Sequence, residues 1–213
     1  MMQKLLEWIL SGGYAIMTAV VFVETGLLVG FCLPGDSLLF TAGLACVPGN
    51  ALTSKLGIAN FDLLTLNLCL IPAAIIGDTV GYWIGLKAGK GMYEREKTLF
   101  FRRDHLLHTK AFYEKHGGKT IFLARFVPMV RTFAPVVAGI AQMSYWRFVS
   151  YNVFGGLAWV TGLSIAGYFL GQYDVVKNNL EVSLLAIVFI SVLPVIITYL
   201  KARNEPPAPA AGN

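Results

Sequence analysis

Charge is scarce in this sequence. Charged residues fill 14% of its 213 positions, where an ordinary soluble domain carries about 25%. That shortage excludes a disordered chain and speaks against a soluble domain. Cysteine is also scarce. Cys32, Cys46 and Cys69 each lie in an apolar run, without a CxxC pair or a neighbouring histidine. A disulfide framework and a zinc site are therefore not expected, and the three are read as buried free thiols. No HExxH, no GxSxG and no phosphatase-like Ser/Arg/His set occurs. The chain is thus expected not to be an enzyme, and no catalytic residue, metal ligand or cofactor is assigned.

What is present is apolar. Hydrophobic residues make up 56% of the chain, and mean hydropathy is +0.63. The expected class is an all-α polytopic membrane protein with one integral domain over residues 1–204. The Pro/Ala-rich end, 205–213, is expected to be a disordered tail. Lys4 precedes an apolar stretch that outruns signal-peptide length and lacks a cleavage site, so the N-terminus is taken as mature sequence.

The net charge of +5 has one source. Residues 87–119 hold nine Lys/Arg and four acids, which accounts for the whole excess, and all three histidines lie there. A basic block between hydrophobic spans is expected at the cytoplasmic headgroup surface, not on nucleic acid, because no recognition module surrounds it. Leu99, Leu106 and Tyr113 recur at seven within it. That spacing suits an amphipathic helix lying on the membrane, or equally one covering the protein's own cytoplasmic face.

About 20 apolar residues cross a bilayer as a helix. Residues 63–86, 145–171 and 182–200 meet that length. Two further segments, 14–47 and 120–143, are apolar but broken. The first contains Glu24 and then Leu33-Pro34-Gly35-Asp36; the second contains Arg125, Pro128, Arg131 and Pro135. Two prolines seven apart disfavour a straight helix. Both segments are expected to be re-entrant hairpins, each followed by a span, in an inverted-repeat layout. With 87–119 inside, Lys201 and Arg203 also fall inside, which places the C-terminus in the cytoplasm. Gly77, Gly81, Gly85 and Gly89 form a ridge at helical spacing, as do Ala158, Gly162 and Ala166, with Gly167 and Gly171 as a shorter third. Such ridges let helices approach closely.

Five charges lie inside or at the tips of the apolar segments: Glu24, Asp36, Asp78, Arg125 and Arg131. At membrane depth each costs about 2.5–3.5 kcal/mol on insertion scales, so each is a candidate for function. Structural readings stand beside that. Asp36 can cap a short helix, Asp78 can make hydrogen bonds beside the glycine ridge, and Glu24 and the arginines can form ion pairs. A proline break can also aim Arg125 and Arg131 into one cavity, where two guanidiniums suit a phosphate. Glu24 and Asp36 are then the candidates for proton or charge coupling. Asp78, Pro34, Gly35, Pro128 and Pro135 support the site.

At these residues the sequence resembles the DedA family, also called the SNARE-associated or VTT-domain family. The resemblance lies in Phe22, Glu24 and Gly26 with Leu33-Pro34-Gly35-Asp36, then in Gly77-Asp78, Gly81-Tyr82 and Gly85. It continues through Lys115-His116-Gly117-Gly118, Arg125-Phe126, Pro128, Arg131, Pro135, Ala138-Gly139 and Met143, and reaches Asn152, Gly155 and Trp159. It covers roughly residues 14–171. It implies a bacterial inner-membrane protein with two opposed re-entrant hairpins, linked to envelope homeostasis, the proton-motive force and lipid movement. Some members are proposed to translocate undecaprenyl phosphate, others are linked to phosphatidylethanolamine, and eukaryotic relatives scramble phospholipids. The family's important acids and arginines map onto Glu24, Asp36, Arg125 and Arg131.

The leading expectation is a transporter of a phosphate-bearing lipid, with membrane lipids and protons as partners and no nucleic acid. Assembly as a homo-oligomer is compatible with the sequence. A proton-coupled exporter of small ions or drugs, and a non-transport factor in envelope homeostasis, are the alternatives.

Overall fold

A computed structural model describes residues 8–27, 35–57, 60–94 and 118–173. Among them every regular element is helical. A helical turn at residues 8–11 leads into α1 (Gly13–Gly26), and Gly13 makes the corner at φ +66°, which a residue with a side chain rarely adopts. Then follow α2 (Gly35–Ala45), the short α3 (Ala51–Leu56) and α4 (Leu63–Glu94). Further along the chain come α5 (Gly118–Ala124), α6 (Pro128–Ile140) and α7 (Tyr145–Leu170). The basic block beyond Glu94, the expected span 182–200, the tail, Cys32 and Pro34 lie outside the described residues.

Length separates two classes of helix. At 1.5 Å per residue, α4 is about 48 Å long and α7 about 39 Å, against a hydrocarbon core of about 30 Å. Both are apolar enough to cross a membrane. α1, α2, α5 and α6 have 14, 11, 7 and 13 residues, so none exceeds about 21 Å.

α4 and α7 pack together. Asn67 bonds Ser164, and the Asn152 amide donates to the Ile75 carbonyl at 3.0 Å, so the two run antiparallel. The short helices distribute themselves over this pair: α1 and α6 lie along α4, and α2 and α5 along α7. α1 runs with α4. Tyr14 meets Phe61 and Asp62 at the start of both helices, and Gly26 meets Gly77 further along. α2 runs with α7, from Asp36 beside Trp159 to Leu44 beside Gly171. α6 runs with α4, from Pro135 beside Gly81 to Ile140 beside Gly89. The α1–α2 pair therefore reaches in from one end of α4 and the α5–α6 pair serves the other, and they meet at mid-length.

Glycine makes these seams close. A Cβ at Gly26 would stand 2.9 Å from the Gly77 carbonyl oxygen, and one at Gly89 would stand 2.9 Å from the Ile140 Cα. The ridge on α4 is thus shared: Gly77 faces α1, Gly81 meets both α1 and α6, and Gly85 and Gly89 face α6. The ridge expected at Ala158, Gly162 and Ala166 is a misreading, because Gly162 faces open space. The seam of α7 with α2 and Arg125 instead carries Gly156, Ser164, Gly167 and Gly171, which at about 100° per residue lie about 120–200° round the helix from Gly162. The expected break in 120–143 is also more local than two prolines suggest. It falls at residues 125–127; Pro128 opens α6 at its first position, where a missing N–H costs nothing, and Pro135 lies inside the helix.

Two apolar clusters fill the interior. One joins Met17, Val21, Leu38, Leu39, Leu66 and Trp159; the other joins Tyr82, Ile121, Ala138 and Phe148. Along α4 the transition falls at Asp78, and along α7 at Asn152–Gly156. The outward faces are apolar as well, with Leu64, Leu68 and Trp83 exposed on α4 and Trp146, Phe154 and Phe169 on α7. Such faces suit hydrocarbon better than water.

Candidate functional site

All five charges singled out in the sequence converge at that transition. Glu24 lies in the last turn of α1 and Asp36 in the first turn of α2. Asp78 is at the middle of α4, Arg125 in the break before α6, and Arg131 in the first turn of α6. Glu24, Asp78, Arg125 and Arg131 are buried; Asp36 keeps a 17% exposed side chain.

The charges pair by element. Arg131 donates through Nη2 to Glu24 Oε1 at 2.5 Å and through Nη1 to Asp36 Oδ1 at 2.5 Å. One guanidinium from the α5–α6 pair thus holds both acids of the α1–α2 pair. Arg125 donates through Nη2 to Asp78 Oδ2, through Nη1 to the Asn152 carbonyl at 2.9 Å, and weakly to the Ala74 carbonyl at 3.3 Å. It ties the break between α5 and α6 to both long helices. Isolated, each buried ion would cost several kcal/mol, and breaking such a pair from one side typically costs about 3–5 kcal/mol.

Trp159 stands between the arginines. Its ring centroid is 4.2 Å from the Arg131 guanidinium carbon and 5.9 Å from that of Arg125. Its indole N–H donates to Asp36 Oδ1 at 2.8 Å. A desolvated cation over an indole is stabilised by about 2 kcal/mol. The two arginines, six residues apart, are brought to one side chain because the chain breaks between them.

Small residues make the room. A Cβ at Gly35 would overlap the Glu24 carboxylate, and one at Gly156 would overlap the Arg125 guanidinium. Pro135 acts differently. It lacks an N–H, so the Arg131 carbonyl four residues earlier has no helical donor there. Asp36 is not the cap of α2, which begins one residue earlier at Gly35; its carboxylate goes to Arg131 and Trp159 instead. Asp78 and Tyr82 share a face but not a bond, since the Tyr82 hydroxyl donates to the Met143 carbonyl at 2.5 Å.

The set retains unused capacity. Glu24 Oε2, Asp78 Oδ1, Asn152 Oδ1, Thr132 Oγ1 and the Nε of both arginines have no hydrogen-bond partner among the described residues. Buried polar atoms rarely stay unpaired, so such a concentration fits a place where further polar groups enter. No group of three His, Cys, Asp or Glu suited to a metal ion occurs among the described residues. Sequence reasoning gave no site role to Trp159, Asn152 or Gly156. Asn152 had a legible signal, an amide inside an apolar span, with Trp159 seven residues on along the same helical face.

Comparison with known proteins agrees with the sequence motifs. Residues 33–169 match the VTT domain. The chain is 46% identical over 192 residues to Protein DedA of Escherichia coli strain K12, covering 90% of this chain and 84% of that one. It is 42% identical over 178 residues to an uncharacterized membrane protein of Mycobacterium leprae, covering 84% and 75%. A similar uncharacterized membrane protein of Mycobacterium tuberculosis strain H37Rv is 42% identical over 192 residues, covering 88% and 80%. No solved structure matches.

Proposed function

The chain belongs to the DedA family of VTT-domain membrane proteins, and from that premise we propose that it translocates a phosphate-bearing lipid, undecaprenyl phosphate or a phospholipid, across the bacterial inner membrane. In this reading α1–α2 and α5–α6 are re-entrant hairpins entering from opposite faces, and their tips meet near the bilayer midplane. Residues 87–119 and the C-terminus are cytoplasmic. The protein works as a carrier and not as a catalyst of bond chemistry.

One observation carries the proposal. Two buried arginines lie against one indole at mid-length of two membrane-length helices, and side-chain carboxylates accept hydrogen bonds from both, the sole acceptors of Arg131 among the described residues. A phosphate can replace a carboxylate at a guanidinium with the same forked geometry. The headgroup binds where the hairpin tips meet, displaces Glu24 and Asp36 from Arg131, and leaves its tail in lipid. Three acids against two arginines carry one formal negative charge when all are ionised. One added proton makes the set neutral, which would couple headgroup movement to the proton-motive force.

The test is reconstitution in liposomes with a labelled polyprenyl phosphate or phospholipid. The native chain is expected to move the label between leaflets and the Arg125→Ala/Arg131→Ala double variant is not. Equal translocation by both rejects the site. Movement of a soluble cation with proton counterflow, and no lipid movement, rejects the substrate class.

A further inference from the structure

The two arginines are held in different ways. Arg125 has one carboxylate, Asp78, and two backbone carbonyls, those of Asn152 and Ala74. Those carbonyls are part of the two long helices and do not swing away as a side chain does, so Arg125 keeps its ties to α4 and α7 when a carboxylate is exchanged. Among the described residues Arg131 has only carboxylates on its terminal nitrogens, Glu24 and Asp36, and no hydrogen-bond partner at its Nε. A competing anion removes both of its hydrogen bonds. What Arg131 then keeps is the face of Trp159, 4.2 Å from its guanidinium carbon.

Trp159 also touches the other side of the exchange. Its N–H shares Asp36 Oδ1 with Arg131. The carboxylate is therefore held in place by α7 even when Arg131 leaves, and its hold on Arg131 is weakened while Arg131 stays. Both contacts act in the same direction, towards release of Arg131 to an incoming anion.

We propose that Trp159 is the positioning residue of the site: the pivot on which Arg131 turns from Glu24 and Asp36 to the phosphate of a lipid headgroup, while Arg125 stays fixed. This rests on the phosphate-lipid reading of the same site. The planar contact explains why the cation is arginine. A lysine at 131 keeps the charge but loses the flat face that slides on the indole.

Tryptophan itself supplies the test. Trp159 is 3% exposed, whereas Trp8, Trp83 and Trp146 are 62%, 52% and 77% exposed. With those three changed to Phe, Trp159 is the one tryptophan emitter in the full-length chain. Short-chain phosphatidic acid, diacylglycerol with the same chains, and inorganic phosphate are titrated in detergent, and native mass spectrometry follows binding in parallel. Phosphatidic acid is expected to change the emission saturably and diacylglycerol is not. Arg131→Lys is expected to abolish the change. In the otherwise native chain, Trp159→Phe is expected to weaken phosphatidic acid binding about tenfold, the effect of losing one hydrogen bond to a charged group. Its melting point should fall by only about 3–6 °C.

Phosphatidic acid bound without any emission change overturns the inference, as does native affinity in Trp159→Phe. If Trp159→Phe does not fold, the emission titration still decides. If inorganic phosphate matches phosphatidic acid, the role of Trp159 stands and the lipid reading fails. If neither phosphatidic acid nor a polyprenyl phosphate binds the native chain, both fail together.

Discussion

Replacing Asp78 by asparagine isolates the energetics of the buried charges. The substitution keeps the size and one oxygen of the carboxylate but removes the negative charge facing Arg125. The side chains of both partners are at most 4% exposed, so water cannot take over. Removing one partner of such a pair costs about 3–5 kcal/mol. The carbonyls of Asn152 and Ala74 still accept from Arg125, which puts the expected loss at the lower end, about 3 kcal/mol. For a chain of this length 1 kcal/mol moves the melting point by about 2–4 °C, so Asp78→Asn should melt about 6–12 °C lower. The assay is thermal unfolding of detergent-purified protein followed by size-exclusion recovery. A second variant sharpens it. If the loss comes from an uncompensated guanidinium, Asp78→Asn/Arg125→Gln should be no less stable than Asp78→Asn alone. The reasoning is refuted if Asp78→Asn melts within about 1 °C of the native chain, or if the double variant loses the sum of both singles.

Gly35→Ala and Gly156→Ala place a methyl group on the Glu24 carboxylate and the Arg125 guanidinium. Each should cost about 1–3 kcal/mol by overpacking and abolish lipid movement in liposomes. Gly162→Ala, which meets open space, should be neutral or slightly stabilising in the same melts, since alanine favours helix over glycine by about 1 kcal/mol. Tyr82→Phe deletes the bond to the Met143 carbonyl and should lower stability by about 0.5–1.5 kcal/mol while leaving transport rates intact. At the start of α4, Asp62 accepts from the backbone N–H and hydroxyl of Thr65. These bonds, the backbone one first, hold its carboxyl below the usual range. Its contribution is therefore present above the unfolded value of about 3.9 and lost as pH falls through the lower folded value. Asp62→Ala should melt lower than the native chain at neutral pH, and the gap should close in strongly acidic buffer.

The five charges were legible in the sequence because charge inside an apolar run is anomalous on its own. Proline and glycine likewise marked where the broken segments fail as spans. The partner exchange was not legible: nothing local tells α2 to lie on α7 while α1 lies on α4, since that depends on which glycine face meets which helix. Gly162 illustrates the difficulty, because small residues at helical spacing look alike whether they face a helix or open space. Trp159 was hidden for a related reason. An aromatic side chain in an apolar span has the pattern of core, and only the arrival of Asp36 from residues far upstream gives its N–H a partner. Asp36 itself could be a cap or an ion-pair partner on sequence grounds, and the start of α2 at Gly35 separates the two.

The ion pairs also impose an order on biosynthesis. Glu24 and Asp36 are synthesised 107 and 95 residues before Arg131, and Asp78 is 47 residues ahead of Arg125. At about 5–20 residues per second, Glu24 waits roughly 5–20 s for its counterion. In the re-entrant reading proposed above, a seated α1–α2 pair would during that interval hold two acids at membrane depth with no cation, at about 2.5–3.5 kcal/mol apiece. The pair is therefore expected to settle only after α6 has emerged, whereas α4, with Asp78 as the one charge between Leu63 and Leu86, can enter first. Cysteine labelling of ribosome-stalled chains would follow this directly: a site beside Glu24 should stay reactive in chains ending before Arg125 and become protected once Arg131 is inserted. Acids come first and arginines last, so the second half of the molecule acts as a chaperone for the first.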